Sequence, residues 1–174
     1  MNFQFNLPTQ IHLGTESLDE LEREIREKCY ARVAFIYDHN LGKHPLIKQI
    51  RENLISFTTL VEGVVEVAEP TYEFLESFRV NFSDDKIEAV IGIGGGSTLD
   101  TAKAMAVLVH NKKSSLEYRG FDLMDGPVLP VYAIPTTAGT GSEITPNASF
   151  VDSLSKKKLG INGQLMRPVG AYLH

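Results

Sequence analysis

One cysteine, Cys29, is all the thiol chemistry this sequence has, and no apolar run approaches the roughly 20 residues that span a bilayer. The first scarcity excludes an internal disulfide and a structural zinc site built on cysteines, and it fits a reducing compartment. Cys29 ends an amphipathic pattern and reads as a half-buried thiol rather than a nucleophile. The second scarcity argues against a membrane association. Met1 to Thr9 also lacks the positive start and apolar centre of a secretory signal, so the expected location is cytoplasmic. Positive charge is short as well: 17 Lys and Arg against 22 Asp and Glu give a net charge of -5. Nucleic acid is therefore excluded as a partner, because a polyanion needs a basic stripe that displaces its counterions. The one basic run, Lys156-Lys157-Lys158, is short and reads first as a solvated face. His12, His39, His44, His110 and His174 are scattered, with no pair four residues apart on an expected helix, so no metal ligand is assigned. His110 reads instead as a residue that complements the dipole at a helix end.

What is present is a chain of 174 residues, 43% hydrophobic and 22% charged, which fits one compact domain over 1–174. Strand-like and helix-like segments alternate, the pattern of a parallel sheet with crossover helices. After an extended start carrying Phe3, Phe5 and Leu7, the spacing of Leu18, Leu21 and Ile25 predicts a helix over 17–28. A buried strand is predicted over 33–37, closed by Asp38, and a helix over 45–56. Next come a strand over 63–67, a helix over 72–81, and a break at Ser83-Asp84-Asp85. Buried strands are expected at 89–93 and 129–134, with a helix from Thr98 to Val109 between them. Shorter strands are expected at 150–151, 159–161 and 171–173. The fold class is α/β, a Rossmann-like parallel sheet with helices on both faces.

The strand over 89–93 runs straight into Gly94-Gly95-Gly96-Ser97 and then a helix. Free backbone N–H groups at a helix N-terminus, aligned with the positive end of its dipole, form a site for an anion. Ser97 can cap the helix or donate to a phosphate oxygen. Lys103 is a weaker candidate that also fits a surface charge. The turn departs from the dinucleotide fingerprint, which has Gly or Ala where Ser97 stands, and no P-loop fits, because Ser97 is followed by Thr98-Leu99-Asp100. A tight turn of purely structural purpose is the alternative. A second loop, Pro135-Thr136-Thr137-Ala138-Gly139-Thr140-Gly141-Ser142-Glu143, follows another buried strand. Both loops then face the crevice at the carboxyl ends of the strands, where open α/β sheets bind ligands. Its hydroxyls suit ribose and phosphate oxygens, or else cap their own backbone.

Together the two loops resemble the signatures of the iron-containing alcohol dehydrogenase family. The likeness extends through Leu7-Pro8-Thr9, Asp38, Pro70-Thr71, Asp152 and Lys158-Leu159-Gly160-Ile161. It implies NAD or NADP as cofactor. Gly95, Gly96 and Ser97 would cradle the pyrophosphate with Asp100 nearby, Thr136, Thr137 and Thr140 would line the cleft, and Lys158 would reach a ribose hydroxyl. Asp38 matches the position that meets the adenosine ribose. A carboxylate there accepts from a 2′-OH and repels a 2′-phosphate, which favours NAD over NADP; a turn or cap residue is the other reading. Many relatives carry Asn where this chain has Glu69.

The resemblance also implies reversible hydride transfer between the cofactor and an alcohol or aldehyde substrate, assisted by iron or another divalent metal. The family places its metal ligands in a helical C-terminal domain, and none of that pattern occurs here. The chain is therefore expected to be the nucleotide-binding fragment, inactive alone, binding no metal and associating as a homodimer or aggregating through the face it leaves bare. Glycerol dehydrogenase and dehydroquinate synthase relatives are rival readings, and the Thr-Thr-Ala-Gly-Thr-Gly-Ser-Glu loop favours the alcohol dehydrogenase branch. A non-catalytic nucleotide-binding or interaction module is the alternative from another class.

Overall fold

The computed structural model describes residues 6–83 and 86–174. Phe3, Phe5 and Asp84-Asp85 of the expected start and break lie outside them. The strands are β1 (Gln10–Leu13), β2 (Arg32–Asp38), β3 (Thr59–Val65), β4 (Ala89–Gly94), β5 (Gly120–Phe121), β6 (Val131–Pro135), β7 (Asn147–Val151), β8 (Lys158–Asn162) and β9 (Gly170–Leu173). The helices are α1 (Ser17–Glu27), α2 (Pro45–Leu54), α3 (Tyr72–Arg79) and α4 (Gly96–Leu108). Six strands form one sheet in the order β1-β9-β6-β4-β2-β3, with every neighbouring pair parallel. A smaller sheet has the order β5-β8-β7, in which β7 and β8 run antiparallel.

Strands β2 and β4 are buried on both faces, which is why they appear in sequence as unbroken apolar runs. Their side chains alternate between two cores. Val33, Phe35, Ala89 and Ile91 meet Leu21 and Ile25 of α1 and Ile47 and Ile50 of α2. Ala34, Ile36 and Val90 join Leu75 of α3 and Ala102 and Met105 of α4 on the opposite face. Each fully buried side chain of the size of Phe35 or Ile36 contributes about 1.5–3 kcal/mol. Helix ends follow local chemistry. Thr71 caps α3 by accepting from the Phe74 N–H at 3.1 Å, and Pro45 opens α2 where no N–H is needed. Helix α4 touches both β4 and β7 and is buried nearly all round, as its Ala-rich, apolar sequence requires.

Three expectations need correction. The strand expected over 63–67 begins at Thr59 and ends at Val65. Among the described residues it is a sheet edge paired only with β2, so its exposed positions break the apolar run, and Glu62 there holds Arg51 at 2.7 Å. Cys29 is exposed, in a left-handed turn with φ 55° just beyond α1. The last two residues of α3's expected span, Val80 and Asn81, tighten into a 3₁₀ turn, Val80–Phe82. Among the described residues no helix is long and apolar enough to cross a membrane.

Candidate functional site

The carboxyl end of β4 meets the amino end of α4 through Gly94 and Gly95. Gly94 has φ 157°, and a Cβ there would stand 2.7 Å from the Cβ of Thr98, so only glycine makes this turn. Gly95 is the cap residue and brings no side-chain cap, so the first turn of α4 presents its N–H groups to the crevice. The Thr loop is docked against this turn: the Thr136 N–H donates to the Gly94 carbonyl at 3.0 Å. Thr137 Oγ1 lies 3.3 Å from where a Gly95 Cβ would be, and Thr140 Cγ2 lies 3.0 Å from the same point on Gly96.

A cavity of about 390 Å³ opens here, lined by Gly96, Ser97, Asp100, Thr140 and Lys158 together with Ser142, Thr145, Asn147 and Ser149. The structure thus brings five of the expected residues to one space. Thr136 does not join them: it lines a separate small cavity with Ile93, Ile134 and Pro135. Asp38 stands at the end of β2, next to β4 in the sheet, and caps the 3₁₀ turn His39–Leu41. Its Oδ1 accepts from both the backbone N–H and the side-chain amide of Asn40 at 2.9 Å. Ser97 neither caps α4 nor is its hydroxyl free, since it donates to the Ala68 carbonyl at 2.5 Å. Lys158 opens β8, half exposed, with its ammonium 3.9 Å from Glu69.

Asp100 is more tightly held than its motif position suggests. Its Oδ1 accepts from Ser142 Oγ at 2.5 Å and lies 3.1 Å from the Lys103 ammonium, while Oδ2 accepts from the Ser149 N–H at 2.9 Å. Lys103 itself is fully buried, which corrects the surface reading. Its position had a signal in sequence: a lone charge amid Ala102, Ala104 and Met105, three residues after an acid on the same helix face. Burial pulls its pKa down, and the Asp100 carboxylate opposes that pull. Ser149 and Asn147 carried no comparable signal, because they reach the cavity only through the return of β7 onto α4. His110, just past α4, holds the Ile87 carbonyl through Nε2 at 2.7 Å.

The turn that delivers Lys158 is built on Asp152. Its Oδ1 accepts from the N–H groups of Leu154 at 2.9 Å and Ser155 at 3.2 Å, and Arg119 lies 3.0 Å from Oδ2. The Ser155 and Leu154 N–H groups, with Arg119 adding less, hold this carboxyl below the ordinary aspartate value of 3.8. A depressed folded pKa stabilises above the unfolded value and is lost as pH falls through the folded one. Asp152→Asn is therefore expected to be less stable than wild type near neutrality, with the difference closing below about pH 4. Urea unfolding of both chains at several pH values checks this; a gap constant with pH would show that the carboxylate charge has no part in it.

Fold and cavity define a class: a Rossmann-like α/β domain with a cavity at the carboxyl ends of parallel strands, against a helix N-terminus. Residues 8–174 match the family described as iron-containing alcohol dehydrogenase. The chain is 41% identical over 172 residues to the NAD-dependent methanol dehydrogenase of Bacillus methanolicus, covering 96% of this chain and 44% of that protein. It is 36% identical over 166 residues to long-chain-alcohol dehydrogenase 1 of Geobacillus thermodenitrificans, covering 93% and 42%. The NADH-dependent butanol dehydrogenase A of Thermotoga maritima superposes with a TM-score of 0.87 at 26% identity, over 99% of this chain and 44% of that one. The chain belongs to the iron-containing alcohol dehydrogenase family, and it spans less than half the length of these relatives.

Proposed function

We propose that residues 1–174 form the dinucleotide-binding domain of an oxidoreductase that interconverts an alcohol and an aldehyde or ketone with NAD as cofactor. The observation that carries this reading is the uncapped amino end of α4, opening into a cavity of about 390 Å³ beside Thr140 and Lys158. The residues fit the group. A pyrophosphate is an anion that needs close approach to backbone N–H groups, and neither Gly95 nor Gly96 puts a Cβ in its way. The dipole of α4 and the Lys158 ammonium supply positive potential, while the charge of Asp100 is already matched by Lys103. Thr140 offers a hydroxyl on the opposite wall, and Thr137 another beside Gly95. Both Asn40 donors go to Oδ1 of Asp38, which leaves Oδ2 to accept from a ribose 2′-OH and to repel a 2′-phosphate.

Bound NAD would supply the hydride chemistry at its nicotinamide ring. This chain's residues bind and orient it. The alcohol or aldehyde substrate class follows from the names of the relatives. Iron does not fit the residues present: among those described, no group of three or more His, Cys, Asp or Glu side chains is placed to hold a metal ion. The 174-residue chain alone is proposed to bind cofactor with little or no dehydrogenase activity.

Calorimetric titration with NAD, NADH and NADP, repeated on Asp38→Ala, tests the reading. Wild type is expected to saturate with NAD in preference to NADP, and Asp38→Ala to relax that preference by about ten-fold, or ~1.4 kcal/mol. Absence of saturable binding to any of the three, or substantial NADH formation when ethanol is added to the NAD-loaded chain, would overturn the corresponding part.

A further inference from the structure

We propose that Lys103 is a positioning residue for cofactor binding: its buried ammonium ties the helix that begins at the glycine turn to the segment 142–149, and so fixes the two walls of the cleft relative to each other. This rests on the reading of the cleft as a dinucleotide site, and it concerns a residue that itself lines none of the cavity.

The tie is specific in its geometry. From one side chain with no exposed surface, Nζ reaches the Ser142 carbonyl at 3.0 Å and the Thr145 carbonyl at 3.4 Å, and donates also to the Asn147 carbonyl. The Asp100 carboxylate, one turn earlier on α4, completes the shell at 3.1 Å and draws in Ser142 Oγ and the Ser149 N–H from the same segment. Helix α4 supplies Gly96 and Ser97 to the cavity, and the tethered segment supplies Ser142, Asn147 and Ser149.

Packing alone gives no reason for a lysine here. Its neighbours Ala102, Ala104 and Met105 are fully buried and apolar, and a buried ion pair is often no more stabilising than a hydrophobic residue of the same volume. What an apolar side chain would not do is gather three carbonyls from one loop. That loop has freedom to lose: Gly139 has φ 112° and Gly141 φ 66°, both in conformations that place few restraints on glycine. Holding it before the ligand arrives removes an ordering cost from binding.

The test compares wild type with Lys103→Met, near in volume but uncharged. Thermal melts establish a temperature at which both are folded, and NAD and ADP are titrated there. The expected result is a loss of affinity of about ten-fold or more for both ligands. A folded variant that binds both as wild type does would overturn the inference and leave the dinucleotide reading standing. Failure of wild type to bind NAD would overturn that reading instead. Hydrogen exchange on wild type without ligand decides the positioning if the variant does not fold or NAD does not bind. Slow exchange at Ile144, whose N–H is bonded to the Gly141 carbonyl at 3.1 Å, supports a loop already fixed. Exchange there at the rate of an unstructured chain would refute it.

Discussion

Asp100→Ala is expected to lower the unfolding free energy by about 3–5 kcal/mol, the cost of leaving a buried charge without its partner. The Lys103 side chain is fully buried, and the carboxylate 3.1 Å away is its only counter-charge in direct contact among the described residues. The same substitution removes the acceptor for Ser142 Oγ and for the Ser149 N–H, two further donors that the fold then leaves unpaired. Against a total stability of about 5–15 kcal/mol for a domain of this kind, the loss is a large fraction. Urea unfolding is the measurement, with a fall in midpoint at unchanged slope as the signature of a stability effect. Asp100→Asn should cost less, since the amide keeps an acceptor oxygen. A loss below about 1 kcal/mol for the alanine variant would mean that the three loop carbonyls alone sustain the ammonium.

Gly96→Val is expected to remove NAD binding while leaving the fold intact. A Cβ at this position would sit 3.0 Å from Thr140 Cγ2 and 3.2 Å from its Cβ, and the two methyls of valine extend beyond it over the N–H groups that the pyrophosphate needs. The contact is with a side chain that can shift by tenths of an ångström, so the helix survives. What does not survive is the free space. Loss of at least about 100-fold in affinity, or ~2.7 kcal/mol, is the expected outcome in calorimetry, with far-ultraviolet circular dichroism unchanged. Binding within about three-fold of wild type would place the anion elsewhere than the amino end of α4.

The parts of this molecule that were legible in sequence share a physical property: their environment acts on every residue in a row. Strands β2 and β4 are covered on both faces, so Val33 to Tyr37 and Ala89 to Ile93 are continuous apolar runs. The glycine turn is legible because sterics at Gly94 and Gly96 admit nothing larger without a shift. By contrast, β1 is a short and mostly exposed edge strand and β5 has two residues, so their pairing is decided by distant partners and not by local pattern. The same limit applies to the candidate site. Thr136 and Thr137 are adjacent and chemically alike, yet one lines the small apolar cavity and the other abuts Gly95, because neighbouring residues leave the strand end in different directions. The burial of Lys103 is hidden in the sequence for a further reason. A charged residue is ordinarily outside, and the three carbonyls that admit it lie some forty residues away in sequence.

The pairing of β1 with β9 has a meaning in time. Gln10 lies beside Gly170 and Leu13 beside Leu173, and Thr9 Oγ1 donates to the Pro168 carbonyl at 2.8 Å. Strand β1 thus has its sheet partner about 160 residues further along the chain, and among the described residues it has no neighbour on its other side. Contacts of such long separation are slow to form, because the entropy of closing the intervening chain precedes any reward. Strands β2, β3 and β4 have partners close in sequence and can assemble while synthesis continues. Strand β1 waits, its edge open, until β9 emerges.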